Sequence, residues 1–458
     1  MHINGTLSSS FRDPSGSLFV RDGLLYRRIN LTYKEHYDHL MKCGLYRTLV
    51  DADLLVPHSE TGLTDRSSDP EYKVILPEVI PFISYPYEWC FSQLKDAALA
   101  TLKIQQIAQD FGMCLKDSSA YNIQFRNGKP ILIDTLSFEI YREGEPWVAY
   151  RQFCQHFLAP LSLMSYKDIR LSQLLRLYID GIPIDLASSL LPLRTRFKLS
   201  TLLHIHLHAR SQRHFADKRI DTKRYRLGHQ SLKALVDNLE SAVKRIKWHS
   251  PDTEWGNYYE DNNYSSEALT HKKQIVREFL DKTNPRSVWD LGANNGLFSR
   301  IASDAAIPTL SFDIDPLAVE QNYLYSKQHR EGYLLPLWLD LTNPSPGIGW
   351  ENKERMTLFE RGPADTVLAL ALIHHLAIAN NLPLSKLAQF FKNICHTLVI
   401  EYVPKEDSQV QRMLASRADI FPDYSQEVFE REFRKQFSIE GIEAIKNSKR
   451  CLYVMAAY

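Results

Sequence analysis

Residues 287–299 read Ser-Val-Trp-Asp-Leu-Gly-Ala-Asn-Asn-Gly-Leu-Phe-Ser, and they narrow the fold more than any other stretch. An apolar run closes on Asp290, passes two glycines four apart, Gly292 and Gly296, and enters a helical pattern over 297–304. Strand, tight turn and helix N-terminus in that order aim backbone N–H groups and the positive end of a helix dipole at a ligand. A dinucleotide's pyrophosphate needs a second glycine two positions after the first. Asn294 stands there instead, so the turn suits a ligand with a small polar tail.

The apolar runs that follow repeat the pattern. Residues 307–316 read as a buried strand ending at Asp313, about 20 residues past the glycine turn, where ribose-binding carboxylates sit in such folds. A third strand over 333–341 ends near Asp340. A fourth over 364–372 ends before His374 and His375, and a fifth over 397–402 carries Glu401. Residues 437–445 and 450–457 make a hairpin that closes the sheet edge. Strands alternating with helical stretches predict an α/β, doubly wound parallel sheet, with ligands outside the carboxyl ends of its strands. Acids often end strands because turns favour them. Asp290, Asp313, Asp340 and His374, at four successive strand ends after a glycine turn, are a more specific signal.

The segment around Asp-Leu-Gly-Ala-Asn-Asn-Gly resembles motif I of the class I S-adenosylmethionine (SAM)-dependent methyltransferases, and the likeness extends over about 276–458. It implies a Rossmann-like methyltransferase domain with SAM as cofactor. It further implies that Asp290, Gly292, Asn294 and Gly296 form the cofactor turn. Asp313 would grip both ribose hydroxyls, with Asp315 exposed beside it, and Asp340 would accept from the adenine amine. The position after the fourth strand is where such enzymes place the residue facing the methyl group. An unperturbed imidazole titrates near pH 6.5 and suits that proton transfer. Of the two adjacent histidines, His374 is expected in the cleft and His375 toward the following helix, with Glu401 as fallback base or acceptor anchor. Structural packing of both histidines is the alternative.

The 458 residues suffice for two or three domains. A net charge of +1, with 24% charged and 44% hydrophobic residues, indicates neither nucleic acid nor membrane as a partner. Six scattered cysteines without a Cys-x-x-Cys pair suggest neither zinc nor a disulfide framework, and fit a reducing cytoplasm. The first ten residues lack the basic start and apolar core of a signal peptide.

Residues 1–215 form an α+β region. A hairpin over 16–29 turns at Asp22-Gly23. Helix is predicted near 33–43 and over 93–111, and strands over 72–77 and 79–84. Asp117 and Asn122, five apart, precede an Asn127-Gly128 turn and an apolar strand ending at Asp134. This is similar to the catalytic core of the aminoglycoside and choline kinase branch, and implies Asp117 as base with Asn122 and Asp134 on magnesium. The departures are Leu115 in place of the usual histidine, Thr135-Leu136 in place of a glycine, and no evident glycine-rich loop or strand lysine. Turn capping by these same residues is the competing reading.

Aromatics crowd 85–91 and 146–157, as cores do or as pockets for planar-faced acceptors do. Residues 165–209 are predicted helical throughout. His204, His206 and His208 would share a face only on a strand, and on a helix only His204 and His208 would. The basic run 218–226 reads as a solvated linker. Residues 216–275 join the halves as helical linker and cofactor lid, with Tyr259 or Tyr264 as the lid aromatic. The whole chain is similar to bacterial methyltransferases related to a rhizobial nodulation protein, a label that fixes no substrate. The function expected is SAM-dependent methyl transfer to a small-molecule or carbohydrate acceptor. The rival readings are a phosphotransferase in the N-terminal region and a non-catalytic SAM-fold scaffold.

Overall fold

A computed structural model describes residues 5–63, 70–215, 228–248, 265–415 and 419–458. Contacts divide the chain into two units, Met1–His249 with Gly347–Arg355, and Ser250–Pro346 with Met356–Tyr458. Within the joining segment, the helix His229–Arg245 groups with the first unit and the helix Ser266–Thr283 with the second.

The first unit opens with β1 (Gly5–Thr6), β2 (Gly16–Arg21), β3 (Leu24–Asn30), β4 (His58–Thr61) and β5 (Glu71–Pro77). They form one antiparallel sheet in the order β1-β2-β3-β5-β4. Asp22 and Gly23 take positive φ at the predicted hairpin turn, which glycine and aspartate tolerate best. The strand expected over 79–84 does not form. Pro81 lies inside it and Pro77 and Pro86 flank it, and proline brings no N–H to a ladder. The helix Phe91–Asp110 buries Leu94, Ala97, Ala98, Leu102 and Ile104. Then come β6 (Met113–Leu115), the hairpin of β7 (Ile123–Arg126) and β8 (Lys129–Leu132), and β9 (Phe138–Ile140), which pairs with β6. The helix predicted over 165–209 is broken into short pieces around Gly181, Pro183 and Pro192. The aromatics of 85–91 and 146–157 build core: Tyr85, Tyr87, Trp89, Trp147, Phe153 and Phe157 are all buried.

The second unit is the doubly wound sheet. Its strands are β10 (Val288–Leu291), β11 (Thr309–Asp313), β12 (Leu334–Trp338), β13 (Ala364–Ala369), β14 (Cys395–Tyr402), β15 (Phe437–Ala444) and β16 (Cys451–Ala457). They lie in the order β12-β11-β10-β13-β14-β16-β15. The first five are mutually parallel, and β16 inserts antiparallel between β14 and β15. Their apolar runs are buried on both faces, as a parallel sheet under helices requires. The chain winds outward from β10 to β12 and then returns to place β13 on the other side of β10. That reversal opens a crevice at the carboxyl ends of β10 and β13. Ile275, Val276, Phe279 and Leu280 of the helix Ser266–Thr283 pack onto this sheet with Val288, Leu368 and Val399.

Candidate functional site

The glycine turn follows from backbone demands. Gly292 has φ +73, and a Cβ there would lie 3.1 Å from Leu372 Cδ1. Gly296 has φ +81, and a Cβ would lie 2.6 Å from both Asn322 Nδ2 and Oδ1. Both positions therefore require glycine on conformational and steric grounds. The N–H groups of Gly292 and Ala293 both donate to Phe312 O at 2.9 Å, tying the turn to the end of β11. Asn294, itself at φ 52, donates its backbone N–H to Asp313 Oδ2 at 2.7 Å. The helix behind the turn is shorter than predicted, Ser299–Ser303.

A cavity of about 210 Å³ opens over this turn. Its wall includes Asp290, Gly292, Asn294 and Asp313, together with Phe298, Leu372, His375 and Lys272. The sheet thus brings most of the sequence-picked turn and acid residues into one cleft.

Among the described residues the two acids are held without an opposing guanidinium. Asp313 accepts N–H groups from Asn294 and, on Oδ1 at 2.8 Å, from Asp315, yet burial pushes its carboxyl up to about 6. Asp290 accepts the Ser299 hydroxyl at 2.6 Å, and complete burial pushes it up to about 7. Removal from water disfavours the charged form more than these hydrogen bonds favour it. Asp315 is buried rather than exposed, because its carboxylate accepts the Leu317 N–H at 2.8 Å and caps the helix Pro316–His329. Asp340 lies past the end of β12, half-buried and outside the residues lining the cavity. Its Oδ1 accepts the Thr342 N–H at 2.8 Å and hydroxyl at 2.7 Å. Tyr259 and Tyr264, and the basic run 218–226, lie outside the described residues.

The histidine pair is oriented opposite to expectation. Ala371 takes φ 50 just past β13, and this turn carries His374 into the core and His375, the first residue of the π-helix His375–Ala379, onto the cavity wall. His374 is 1% exposed, and its Nδ1 has no hydrogen-bond partner among the described residues. The rings lie 4.2 Å apart. Neither imidazole keeps the ordinary value near 6.5. Burial, then His375, hold His374 well below it, and burial, then Arg450, bring His375 to about 4. Glu401 does not line the cleft. Its Oε2 accepts Lys272 Nζ at 2.6 Å and the Ala371 N–H at 2.8 Å, and Arg450 Nη1 lies 3.5 Å from Oε1. A fully buried carboxylate needs such counter-charges.

Lys272 escaped the sequence reading, although a signal for it existed. The buried face of the helix Ser266–Thr283 runs Ala268, Lys272, Ile275, Val276, Phe279, Leu280, and the lysine sits in the middle of that apolar stripe. Arg450, at the mouth of the last strand, gave no such sign.

In the first unit, Asp117, Asn122 and Asp134 do converge. Asn122 hydrogen-bonds Asp117, and its Nδ2 donates at 3.4 Å to Ser137 Oγ, which donates at 2.8 Å to Asp134 Oδ2. Asp117 also accepts the Ser119 N–H at 2.9 Å, and burial raises its pKa. Arg27, on β3, lies 2.9 Å from Asp134 Oδ1 and 3.3 Å from Asp13 Oδ2. Two of the three clustered histidines spend their ring nitrogens on neighbouring side chains. His204 meets Tyr150 and Asn238, each at 2.8 Å, and His206 meets Ser188 at 2.8 Å and Thr195 at 2.9 Å.

Against known sequences, the chain is 36% identical over 457 residues to nodulation protein NoeA of Rhizobium meliloti (strain 1021), spanning 98% of this chain and 95% of that protein. The chain belongs to the NoeA family. No family model matches it. Among solved structures, this NoeA-family chain aligns with the PH0226 protein from Pyrococcus horikoshii OT3 (16% identity, 44% of this chain and 96% of that one, TM-score 0.32). It also aligns with magnesium protoporphyrin IX methyltransferase (ChlM) from Synechocystis PCC 6803 with bound SAH (15% identity, 44% and 93%, TM-score 0.31). A third is the bifunctional kinase-methyltransferase WbdD (13% identity, 44% and 41%, TM-score 0.30).

Proposed function

We propose that the cleft over β10 and β11 binds SAM, and that this NoeA-family protein transfers its methyl group to a small-molecule or carbohydrate-type acceptor. The observation that carries the reading is the Asp313 carboxylate. It stands at the end of β11 on the cavity wall, oriented by two backbone N–H bonds and buried enough to favour a ligand with hydroxyls to donate. In this reading Gly292, Asn294 and Gly296 shape the turn around the cofactor, Asp313 takes the ribose hydroxyls, and Asp290 faces the ligand's polar tail. Asp340 keeps the adenine amine only through Oδ2, since Oδ1 is engaged by Thr342. The lid aromatic in this reading is Tyr259 or Tyr264, both outside the described residues.

The sulfonium of SAM is already activated, so the protein has to align the acceptor and remove one proton. Of the candidate bases, His375 is the one on the cavity wall, and it takes that role from His374. Glu401, tied to Lys272, supports the wall from behind. The six cysteines are free thiols, which suits a cytoplasmic site, and no helix among the described residues is long and apolar enough to cross a membrane.

The first unit, in this reading, does not transfer phosphate. Arg27 holds Asp134 in an ion pair, and residues 7–15 between β1 and β2 contain no glycine to wrap a phosphate.

The test is calorimetric titration of SAM into wild type and Asp313→Ala. A lost hydrogen bond to a charged group costs about 1.5–3 kcal/mol, so the variant should bind roughly tenfold more weakly or worse. Unchanged affinity with retained folding removes the ribose assignment, and absence of SAM binding by wild type leaves the scaffold reading standing.

A further inference from the structure

The helical run 199–215 of the first unit is built inside out. It consists of the helix Leu199–Thr201, the π-helical turn Leu202–Leu207 and the helix His208–Phe215. A surface helix of a globular protein ordinarily turns its apolar residues inward and its polar ones to water. Here Thr201, His204 and His206 are buried beside Ile205 and Ala209. Their polar atoms are matched inside the unit by Thr195, Tyr150, Asn238 and Ser188. Leu199, Leu203 and Leu207, four apart, face solvent instead. The short turn Leu193–Phe197 just before them adds Leu193, 69% exposed, and Phe197, 90% exposed. Single exposed apolar side chains are ordinary. Five within residues 193–207, on a run whose histidines are sunk and whose leucines are out, are not accounted for by the packing of this unit.

The same stretch is cationic. No Asp or Glu stands between Asp185 and Asp217, whereas Arg194, Arg196, Lys198, Arg210 and Arg213 do. The first four of these are exposed, and among the described residues none of the four is in an ion pair with an acid. Arg194 Nη2 donates to Tyr166 O at 3.4 Å and Lys198 Nζ to the Tyr166 hydroxyl at 3.2 Å, both neutral acceptors. Burial, then the charges of Arg196 and Arg210, hold His206 below its ordinary value, so both guanidiniums stand around the stretch that carries the leucines. The helix His229–Arg245 brings no compensating acid. It meets the run through Asn238 on His204 and Arg245 on Ser200, and its Glu240 is paired with Lys244. A net charge of +1 for the whole chain hides this local excess.

Exposed leucines beside unpaired cations suit some surfaces and not others. A second copy of the chain, packed face to face, would cover the leucines but set the same cations against each other. A polynucleotide would take the cations and leave the leucines in water, with Phe197 as the one exposed aromatic among them to stack a base. An anionic bilayer answers both features, with lipid phosphates for the cations and the acyl boundary for the apolar side chains. We propose that Leu193, Phe197, Leu199, Leu203 and Leu207, with Arg194, Arg196, Lys198 and Arg210, form a docking face for the surface of an anionic bilayer. The run lies in the interface and does not span it.

The experiment is co-sedimentation of the full-length protein with vesicles of phosphatidylcholine alone, or of phosphatidylcholine with about a third phosphatidylglycerol. Wild type should bind the anionic vesicles at least about tenfold more tightly than the neutral ones, and added salt should weaken that binding. Two variants at exposed positions divide the attraction. Arg196→Gln/Lys198→Gln removes two charges, and Phe197→Ser/Leu203→Ser removes two apolar contacts. Each should weaken binding to anionic vesicles by roughly tenfold or more, with the circular dichroism spectrum unchanged. Wild-type affinity in either variant overturns the proposal, since a face that needs only its charges or only its leucines is not this one. Wild type that ignores the anionic vesicles also overturns it. A dimer broken by Phe197→Ser/Leu203→Ser, or single-stranded RNA binding lost in Arg196→Gln/Lys198→Gln, then says what the face holds instead. If a double variant does not fold, Phe197→Ser alone and the wild-type comparison of anionic with neutral vesicles still decide.

Discussion

In the second unit, the acids that end β10 and β11 are buried against backbone N–H groups and a serine hydroxyl. In the first unit, the acid that follows β8 is already matched by a guanidinium. The two arrangements respond differently to a ligand. Among the described residues no cation pairs with Asp313, and its carboxyl is pushed up to about 6, so a ligand that donates to it recovers part of the cost of burial. Asp134 has that partner in place. Arg27 reaches it at 2.9 Å, and any metal or phosphate would first have to break the pair. One unit is preorganised around an unfilled demand and the other around a filled one. The similar sequence pattern, an acid closing an apolar strand, hides this difference.

The largest effect that sharpens the contrast concerns His375. It sits on the cleft wall as a neutral imidazole at physiological pH, because burial brings its pKa to about 4. General-base catalysis is typically worth about 10²–10⁴-fold. His375→Ala should lower methyl transfer by at least about a hundredfold with SAM affinity nearly unchanged. The acidic limb of the wild-type profile should lie well below pH 6.5. His374→Ala should instead read out as lost stability, since that ring packs in the core. The opposite pattern would return the base to His374.

Next in size is the glycine turn. At φ +81, Gly296 meets the amide of Asn322, which also accepts from Arg300 Nη2 at 2.9 Å and donates to Ser311 Oγ at 2.8 Å. Gly296→Ala should cost about 1–3 kcal/mol in thermal unfolding of the second unit, from backbone strain plus the displaced amide. A substitution that leaves the melting profile unmoved would mean the turn is softer than the ladder of bonds around it.

For the first unit the informative outcome is an effect on stability alone. Asp134→Ala leaves Arg27 its ion pair with Asp13, at 3.3 Å, and removes an acceptor of the Leu136 N–H and the Ser137 hydroxyl. A loss of about 1–2 kcal/mol is expected, with no change in ATP handling by either Asp134→Ala or Asp117→Ala. Magnesium-dependent ATP turnover by wild type that vanishes in Asp117→Ala would place live phosphotransfer in this unit.

How far the sequence could be read follows the same division. The β10 turn was legible because its glycines answer backbone geometry that local sequence sets, and the doubly wound parallel sheet followed from apolar runs alternating with helical stretches, although the order of its strands did not. What escaped depended on partners far away in sequence. Arg27 and Asp134 are separated by more than a hundred residues, as are Lys272 and Glu401, and no local pattern announces that either pair will meet. The facing of the histidines turned on the positive φ of Ala371, a residue with no sequence preference for that region. The helix predicted over 165–209 breaks around Gly181, Pro183 and Pro192, where a flexible backbone and missing N–H donors outweigh apolar spacing.

The smallest expected effect is a pH dependence, and it tests the unfilled demand directly. Donors on a ribose favour the ionised form of Asp313. Its carboxyl in the unliganded protein sits at about 6, above the ordinary range, so ligand binding should be full above that value and weaken as pH falls through it. Each unit of pH below the shifted value costs up to about tenfold in affinity, so between pH 8 and pH 5 SAM should weaken by roughly tenfold. Asp290 lies higher, at about 7, and if its charge also matters the decline should begin nearer neutrality. Asp313→Asn separates the two. Its affinity should be low throughout and lose the component centred near 6, while any component near 7 persists. Calorimetry across that range on both proteins gives the answer. A wild-type affinity flat from pH 8 to pH 5 would mean that neither buried acid has to ionise for SAM to bind, and would break the contrast between an acid waiting for its ligand and one that already has it.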